Sequence, residues 1–494
     1  MNHLAILYNH LKLNNIIVLD KSTSKVYSTN EKLYTDGGGL MLNSIFEPFV
    51  EKSPISVMAR GMLERVLNPD QLNQWFNATA KEQYTKDLLF SSIFNLMSQV
   101  VRGSQPSVHA AFQASVEDIG VSITSVYNKL NGIEADTSAE LVRYAAGQVE
   151  PIILKLMGKQ DPLLPGKRIK LLDGNCIEKS HHRIKELRSI AAGPLPGKSL
   201  VVYDPLLRLP INVFPCEDGH AQERSLLKTV LKTIEKDDVW IADRNFCVVT
   251  FTCGIHNRSA WFIIREHGKY PFELIGKEKY IGKIETGSVY EQLIVVRDGA
   301  EKEYTFRRIR VKLKNETRDG DTDIFIITNL SKRVANAKMI AQLYRDRWTI
   351  ETAFQHLAEY LNSEINTLGY PRAALFGFCV ALIAYIIMSV VKAALGSVHG
   401  VHFVEKNISG YYVANEIEGV YLGMMIVVGN NDWIVFRNMQ PNELVRTLKN
   451  LAKKVKLSKY QKHPRGPKKP QPKRVGMKNK PHVSTARILA ERKK

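Results

Sequence analysis

Two short apolar runs, each closing on an aspartate, set the tightest limit on how this chain can fold. They are Arg168-Ile169-Lys170-Leu171-Leu172-Asp173 and Val239-Trp240-Ile241-Ala242-Asp243. Runs of this length and β-branched content read as strands. Between them, Ser199 to Tyr203, an Asp204-Pro205 turn and Ile211 to Phe214 read as an antiparallel pair. Gln222 to Glu235 then reads as an amphipathic helix, with Leu226, Leu227, Val230, Leu231 and Ile234 on its apolar face. Ala260 to Arg265 is a fifth strand. Residues 266–322 alternate polar and apolar positions around the turn signals Asp298-Gly299 and Asp319-Gly320, as a β-rich insertion would. Asp323 to Asn329 is a further strand, and Val334 to Asn362 a long helix.

This order of elements is that of an α/β chain with an RNase H-like core interrupted by a β-rich insertion. In such a sheet the first and fourth strands are neighbours, so Asp173 and Asp243 would face each other, with Glu351 brought in on the later helix. One acid at a strand end is usually a turn former; two at these topological positions suit phosphodiester chemistry better. Three converging carboxylates are hard ligands of the kind Mg2+ takes, with Mn2+ able to substitute. Two such ions would activate a water or 3′-hydroxyl and steady the phosphorus as it gains a bond.

The rest of the chain divides by character. Residues 1–45 read as an arm with the run Asp36-Gly37-Gly38-Gly39. Residues 46–150 are helical by spacing and read as a DNA-binding domain. Within them Ile119 to Ile133, with Ser122, Thr124, Ser125 and Asn128, has the form of a recognition helix after a turn or, equally, of a plain capped helix. Residues 151–265 and 323–400 would be the two parts of the catalytic core, 266–322 the insertion, and 401–451 a C-terminal helical region. Ala373 to Val391 carries no charge over 19 residues, long enough to span a membrane, but its small residues and isolation favour a buried core helix.

Charge separates the possible partners. The chain has a net charge of +20, and from Leu451 to Lys494 16 lysines and arginines stand against one acid, Glu491. A surplus so concentrated points to nucleic acid rather than to a merely solvated surface. Five prolines interrupt that stretch, so residues 452–494 read as a disordered basic tail whose Lys468, Lys469, Lys473 and Arg474 would meet DNA. Five cysteines without a CxxC pair argue against a disulfide framework and a cysteine zinc site, and fit a reducing cytoplasm. The N-terminus lacks a charged-then-apolar signal pattern.

The helix with Glu351 reads YRDRWTIETAFQHL, placing Tyr344, Arg347 and Glu351 on one stripe. Arginine grips phosphate with a planar fork, and tyrosine can hydrogen-bond phosphate or stack on a base; the plainer reading is an amphipathic helix with exposed Tyr and Arg. This run resembles the Y-x2-R-x3-E part of the signature of DDE-type bacterial insertion-sequence transposases of the insertion-sequence-four type. LLDGNCI and WIADRNFC are similar to the segments around that family's two catalytic aspartates, and DIFIITNL to the run into its glutamate. The resemblance covers roughly residues 165–400. It implies a triad of Asp173, Asp243 and Glu351, with Tyr344 and Arg347 on transposon-end DNA. It further implies cut-and-paste transposition at double-stranded terminal inverted repeats, with 3′-hydroxyl attack on target DNA. Coupling two ends implies a homodimer on DNA. The signature's final lysine would fall at Ala358, so the grip on the end-DNA backbone differs here.

Weaker candidates are Arg244, next to Asp243 and able to approach a phosphate, and the loop with His181, His182 and Arg183, whose spacing suits zinc poorly. Tyr280, Tyr290, Tyr304 and Phe306 are candidates for stacking a flipped base. Two rival readings are a transposase-derived DNA-binding regulator that no longer cuts, and a protein anchored in a membrane through Ala373 to Val391.

Overall fold

A computed structural model describes residues 42–83, 87–157, 162–317, 320–463 and 482–491. Its centre is a nine-stranded mixed sheet of order β4-β3-β1-β5-β6-β10-β9-β8-β7. The strands are β1 (Arg168–Cys176), β2 (Gly193–Leu195), β3 (Lys198–Asp204), β4 (Leu209–Cys216), β5 (Asp238–Ala242) and β6 (Trp261–Arg265). They continue with β7 (Glu273–Ile284), β8 (Gly287–Arg297), β9 (Glu303–Leu313), β10 (Asp323–Thr328) and β11 (His482–Ser484). On one side β3 runs antiparallel to β1 and β4 antiparallel to β3, and on the other β5 and β6 run parallel to β1.

Both faces of the middle of the sheet are covered, which is why its inner strands are mostly apolar, with buried Lys170 paired to Asp238 at 2.7 Å. Ile169, Leu171, Val239, Ile241 and Ile263 belong to a core shared with the long helices. Leu172, Trp240, Ala242, Phe262 and Ile264 point the other way, toward the short helices Leu227–Leu231 and Val249–His256. Residues 266–322 supply β7, β8 and β9, and these strands extend the central sheet through β10. Arg307 anchors the extension: its guanidinium meets Glu291 at 2.7 Å and the Leu330 and Ala335 carbonyls at 2.7 and 2.8 Å, all of it buried.

The helices before and after the sheet pack together. Phe46 meets Trp433 edge-on at 4.9 Å, a side chain at Gly61 would strike the Phe436 ring, and Glu64 is buried between Arg60 and Arg437. The helix Pro371–His399 runs through this helical body, with 94% of its most apolar window buried. It is long and apolar enough to cross a membrane, but its side chains are spent on a protein core. In Ile119–Ile133, Gly120 takes φ 66, the Ser122 side chain accepts from the Ser125 N–H, and Val126 and Leu130 are buried while Ser122, Thr124, Ser125 and Asn128 face outward.

Four expectations from the sequence are corrected. Gln222–Glu235 is not one helix: a 3-10 turn, Glu223–Leu226, leads into Leu227–Leu231, and the chain then turns through Asp237 at φ 67, with Asp238 accepting from the Glu235 N–H. Val334–Asn362 is two helices, Ala337–Asp346 and Trp348–Tyr360, meeting at Arg347. The first strand does not end at Asp173 but runs on to Cys176 along β3. The basic tail has structure where it is described: Leu457–Tyr460 is a 3-10 turn, β11 pairs with β2, and Arg487 bonds Asp218 at 2.7 Å. Lys468, Lys469, Lys473 and Arg474, and nearly all of the 1–45 arm, lie outside the described residues.

Candidate active site

The three acids are placed by strand register and by the break in the helix. β1 and β5 pair in parallel, and their ladder ends at Leu172 opposite Ala242. The next residue after each is an aspartate, and the two stand side by side where the parallel ladder ends and the strands part, the place at which open α/β sheets leave a crevice. Past this point β1 stays on β3, while β5 turns away through the 3-10 helix Arg244–Phe246. Side chains alternate along a strand. Asp173 thus shares the face of Ile169 and Leu171, the face that the helical body covers.

Onto that face comes Arg347, at the junction of Ala337–Asp346 and Trp348–Tyr360. Its amide bonds back three residues to Tyr344, and its carbonyl accepts from Ile350, three residues ahead. This tighter turn points the guanidinium into the crevice. Nη1 reaches Asp173 Oδ2 at 2.8 Å and Nη2 reaches Glu351 Oε1 at 2.5 Å, so one buried arginine spans two of the acids. Its Nε is buried without a hydrogen-bond partner among the described residues. Tyr344, itself buried, approaches Asp243 Oδ1 with its hydroxyl at 3.4 Å. Arg265, paired with Asp321 at 2.7 Å, lies within electrostatic reach of Asp243.

The electrostatics follow from this crowding. Burial pushes the Asp173 carboxyl up to about 6, against the pull of Arg347 and the Gly174 N–H, while the charges of Glu351 and Asp243 push it further. Burial also raises the Tyr344 hydroxyl to about 12, keeping it a neutral donor. Asp173 is 18% exposed and Glu351 38%, so the cluster opens to solvent on the Glu351 side.

All three acids offer only hard oxygen donors, the chemistry that divalent magnesium or manganese requires. Among the described residues no cluster stands at metal-binding geometry, because the Arg347 guanidinium supplies the positive charge between Asp173 and Glu351. The donor set fits such an ion, and a guanidinium that moved to an incoming phosphate would free both carboxylates for it.

Of the weaker candidates, Arg244 is exposed beside Asp243. His181 and His182 are exposed on their loop, the latter against the Ala192 carbonyl at 3.0 Å. Tyr304 and Phe306 are core residues, packed with His256, so they cannot receive a base. Tyr280 is 57% exposed and 5.4 Å from Tyr290, over which Arg310 stacks at 4.5 Å. Ala358 is exposed on the last turns of the Glu351 helix. Sequence reasoning passed over Trp348, which is 62% exposed next to Arg347. Its signal was a large apolar residue on the stripe opposite Ile350 and Ala353.

The segment that carries this site has known counterparts. Residues 166–387 match the family model described as "Transposase DDE domain". A protein of Sinorhizobium fredii (strain NBRC 101917 / NGR234) named "Putative transposase y4zB" is 25% identical over 199 residues, 39% of this chain and 52% of that protein. The chain thus spans about half the length of that curated relative. The match takes in all three acids, Tyr344 and Arg347, and the large mixed α/β sheet agrees with a DDE transposase core.

Proposed function

We propose that this protein is a DDE transposase of the insertion-sequence-four type that excises and reinserts its element by cut-and-paste transposition. The observation that carries the reading is the β1–β5 register, which sets Asp173 and Asp243 side by side beneath the helix bearing Glu351. The strand order β4-β3-β1-β5-β6 supports an RNase H-like core, with β7 to β9 as its insertion.

Asp173, Asp243 and Glu351 would hold Mg2+, or Mn2+ in its place. A bound pair of such ions lowers the pKa of a water or 3′-hydroxyl and offsets charge on the phosphate. The chain's own groups do the positioning. Arg347 exchanges a carboxylate for a phosphate oxygen, for which its planar fork is suited. Tyr344 stays protonated and donates toward Asp243 or the DNA backbone. Arg244 and the lysines and arginines at 468, 469, 473 and 474 hold the duplex in register without reading its sequence. The partners are double-stranded inverted repeats and target DNA, joined by a homodimer in the bacterial cytoplasm, with no membrane. Cleavage of a labelled duplex bearing the element's own ends, with Mg2+ and with EDTA, tests the reading; absence of metal-dependent nicking refutes it.

A further inference from the structure

A cavity of about 240 Å3 lies behind the helix Trp348–Tyr360, on the side away from the paired acids. The tip of the β3–β4 hairpin, the end of the Pro371–His399 helix, the segment around Glu405, Lys462 and the helix residues Thr352 and His356 enclose it. It is far larger than the roughly 10–15 Å3 that a single water needs.

Its charge is unbalanced. Arg208, Lys392 and Lys462 face it, against one acid, Glu405. Glu405 is already paired with Arg208, and its backbone carbonyl accepts from Lys462 Nζ at 2.6 Å. The Lys392 ammonium makes no hydrogen bond or ion pair among the described residues. Gly410 leaves the space beside it: a Cβ there would lie 3.1 Å from Lys392 Nζ and 2.6 Å from the Tyr360 ring. Lys392 is half-buried and lines the cavity beside Arg208 and Lys462, and three cations drawn together around one acid favour an anion among them. Burial, aided by repulsion from Lys462 and Arg208 and opposed by Glu405, lowers Lys392 to about 8, so it is still charged at neutral pH.

We propose that this cavity binds a compact phosphate dianion, either inorganic phosphate or the terminal phosphate of a polynucleotide, held by Lys392, Arg208 and Lys462. Because Thr352 and His356 line the same cavity, the anion would fasten the helix that carries Glu351 from behind. The site is separate from the acid cluster and does not depend on it.

The test is calorimetric titration of the full-length protein with inorganic phosphate at pH 7 and fixed ionic strength, with chloride as control. Saturable binding is expected, weakened at least tenfold in Lys392→Met with the far-ultraviolet circular dichroism unchanged. If Lys392→Met does not fold, Lys462→Met serves the same purpose, with a loss of several-fold expected. No saturable binding in the wild type, or binding that survives both substitutions (an adventitious ion only), overturns the proposal. Displacement of phosphate by 5′-phosphorylated duplex but not by the 5′-hydroxyl duplex supports the site with a polynucleotide end as occupant; displacement by neither supports it with free phosphate.

Discussion

Replacing Asp173 by asparagine separates the electrostatics of the acid cluster from its chemistry. In the metal-free protein the Asp173 carboxyl is lifted from its ordinary 3.8 to about 6, chiefly by burial. A raised carboxyl means that the folded state holds its proton more tightly than the unfolded chain. Stability is then highest below about 4 and falls as pH rises through the interval to about 6. The rise corresponds to about 3 kcal/mol at the upper end, and at 18% exposure little of it is screened away. Asparagine cannot ionise, so Asp173→Asn escapes this loss. It also weakens one contact of Arg347, but that cost is nearly the same at every pH. The stability of Asp173→Asn minus that of the wild type should therefore climb by about 3 kcal/mol between pH 4 and pH 7 in EDTA. Urea unfolding at several pH values, followed by tryptophan fluorescence, measures it. A flat difference, or one that falls with pH, would show that the carboxyl is not strained by burial and that Arg347 fully compensates it. Mg2+ should flatten the wild-type profile, since a cation bound to the folded state stabilises the ionised acid.

Three further outcomes follow from the same geometry. Arg347→Ala should reduce cleavage far more than non-specific DNA binding; equal losses would make it a general backbone contact. Changing Lys468, Lys469, Lys473 and Arg474 together to glutamine should weaken binding to every sequence and lower the slope of log affinity on log salt by up to about 4, since each lost phosphate contact removes about 0.9; an unchanged slope would take those residues off the DNA. Arg307→Met should cost about 3 kcal/mol by taking from buried Glu291 its closer partner and leaving only Lys332 at 3.4 Å, read as a shift in the urea midpoint; a loss below about 1 kcal/mol would mean that β7 to β9 do not depend on that anchor.

The acids were legible in the sequence because their signals are local. Each aspartate follows an apolar run, and strand periodicity alone fixes the face it points to, as with Ile169, Leu171 and Asp173. Arg347 was legible as a neighbour of Glu351 but not as the joint between two helices. A turn tightened by one residue leaves no trace in side-chain spacing, and the contact that rewards it, to Asp173, lies far away in the chain. The helical body was hidden for the same reason. Phe46 against Trp433 and Glu64 against Arg437 join residues at opposite ends of the sequence, so residues 46–150 read as an independent domain although their core is shared with the C-terminal helices. The lysine-rich tail reads as disordered because composition averages over it, yet the short run His482–Ser484 carries enough β character to add to β2. Lys392 was missed because a lone lysine in an apolar helix gives no sign of what surrounds it.

The most direct test of the central claim is a cleavage assay on a labelled duplex carrying the inverted repeats of the element that encodes this chain. It compares the wild type with Asp173→Ala, Asp243→Ala and Glu351→Ala, in Mg2+ and in EDTA. The account predicts nicking at the repeat ends by the wild type in Mg2+ only, and none by the three variants, all of which still bind the duplex. Cleavage in EDTA, or near-normal cleavage by any one variant, would contradict it.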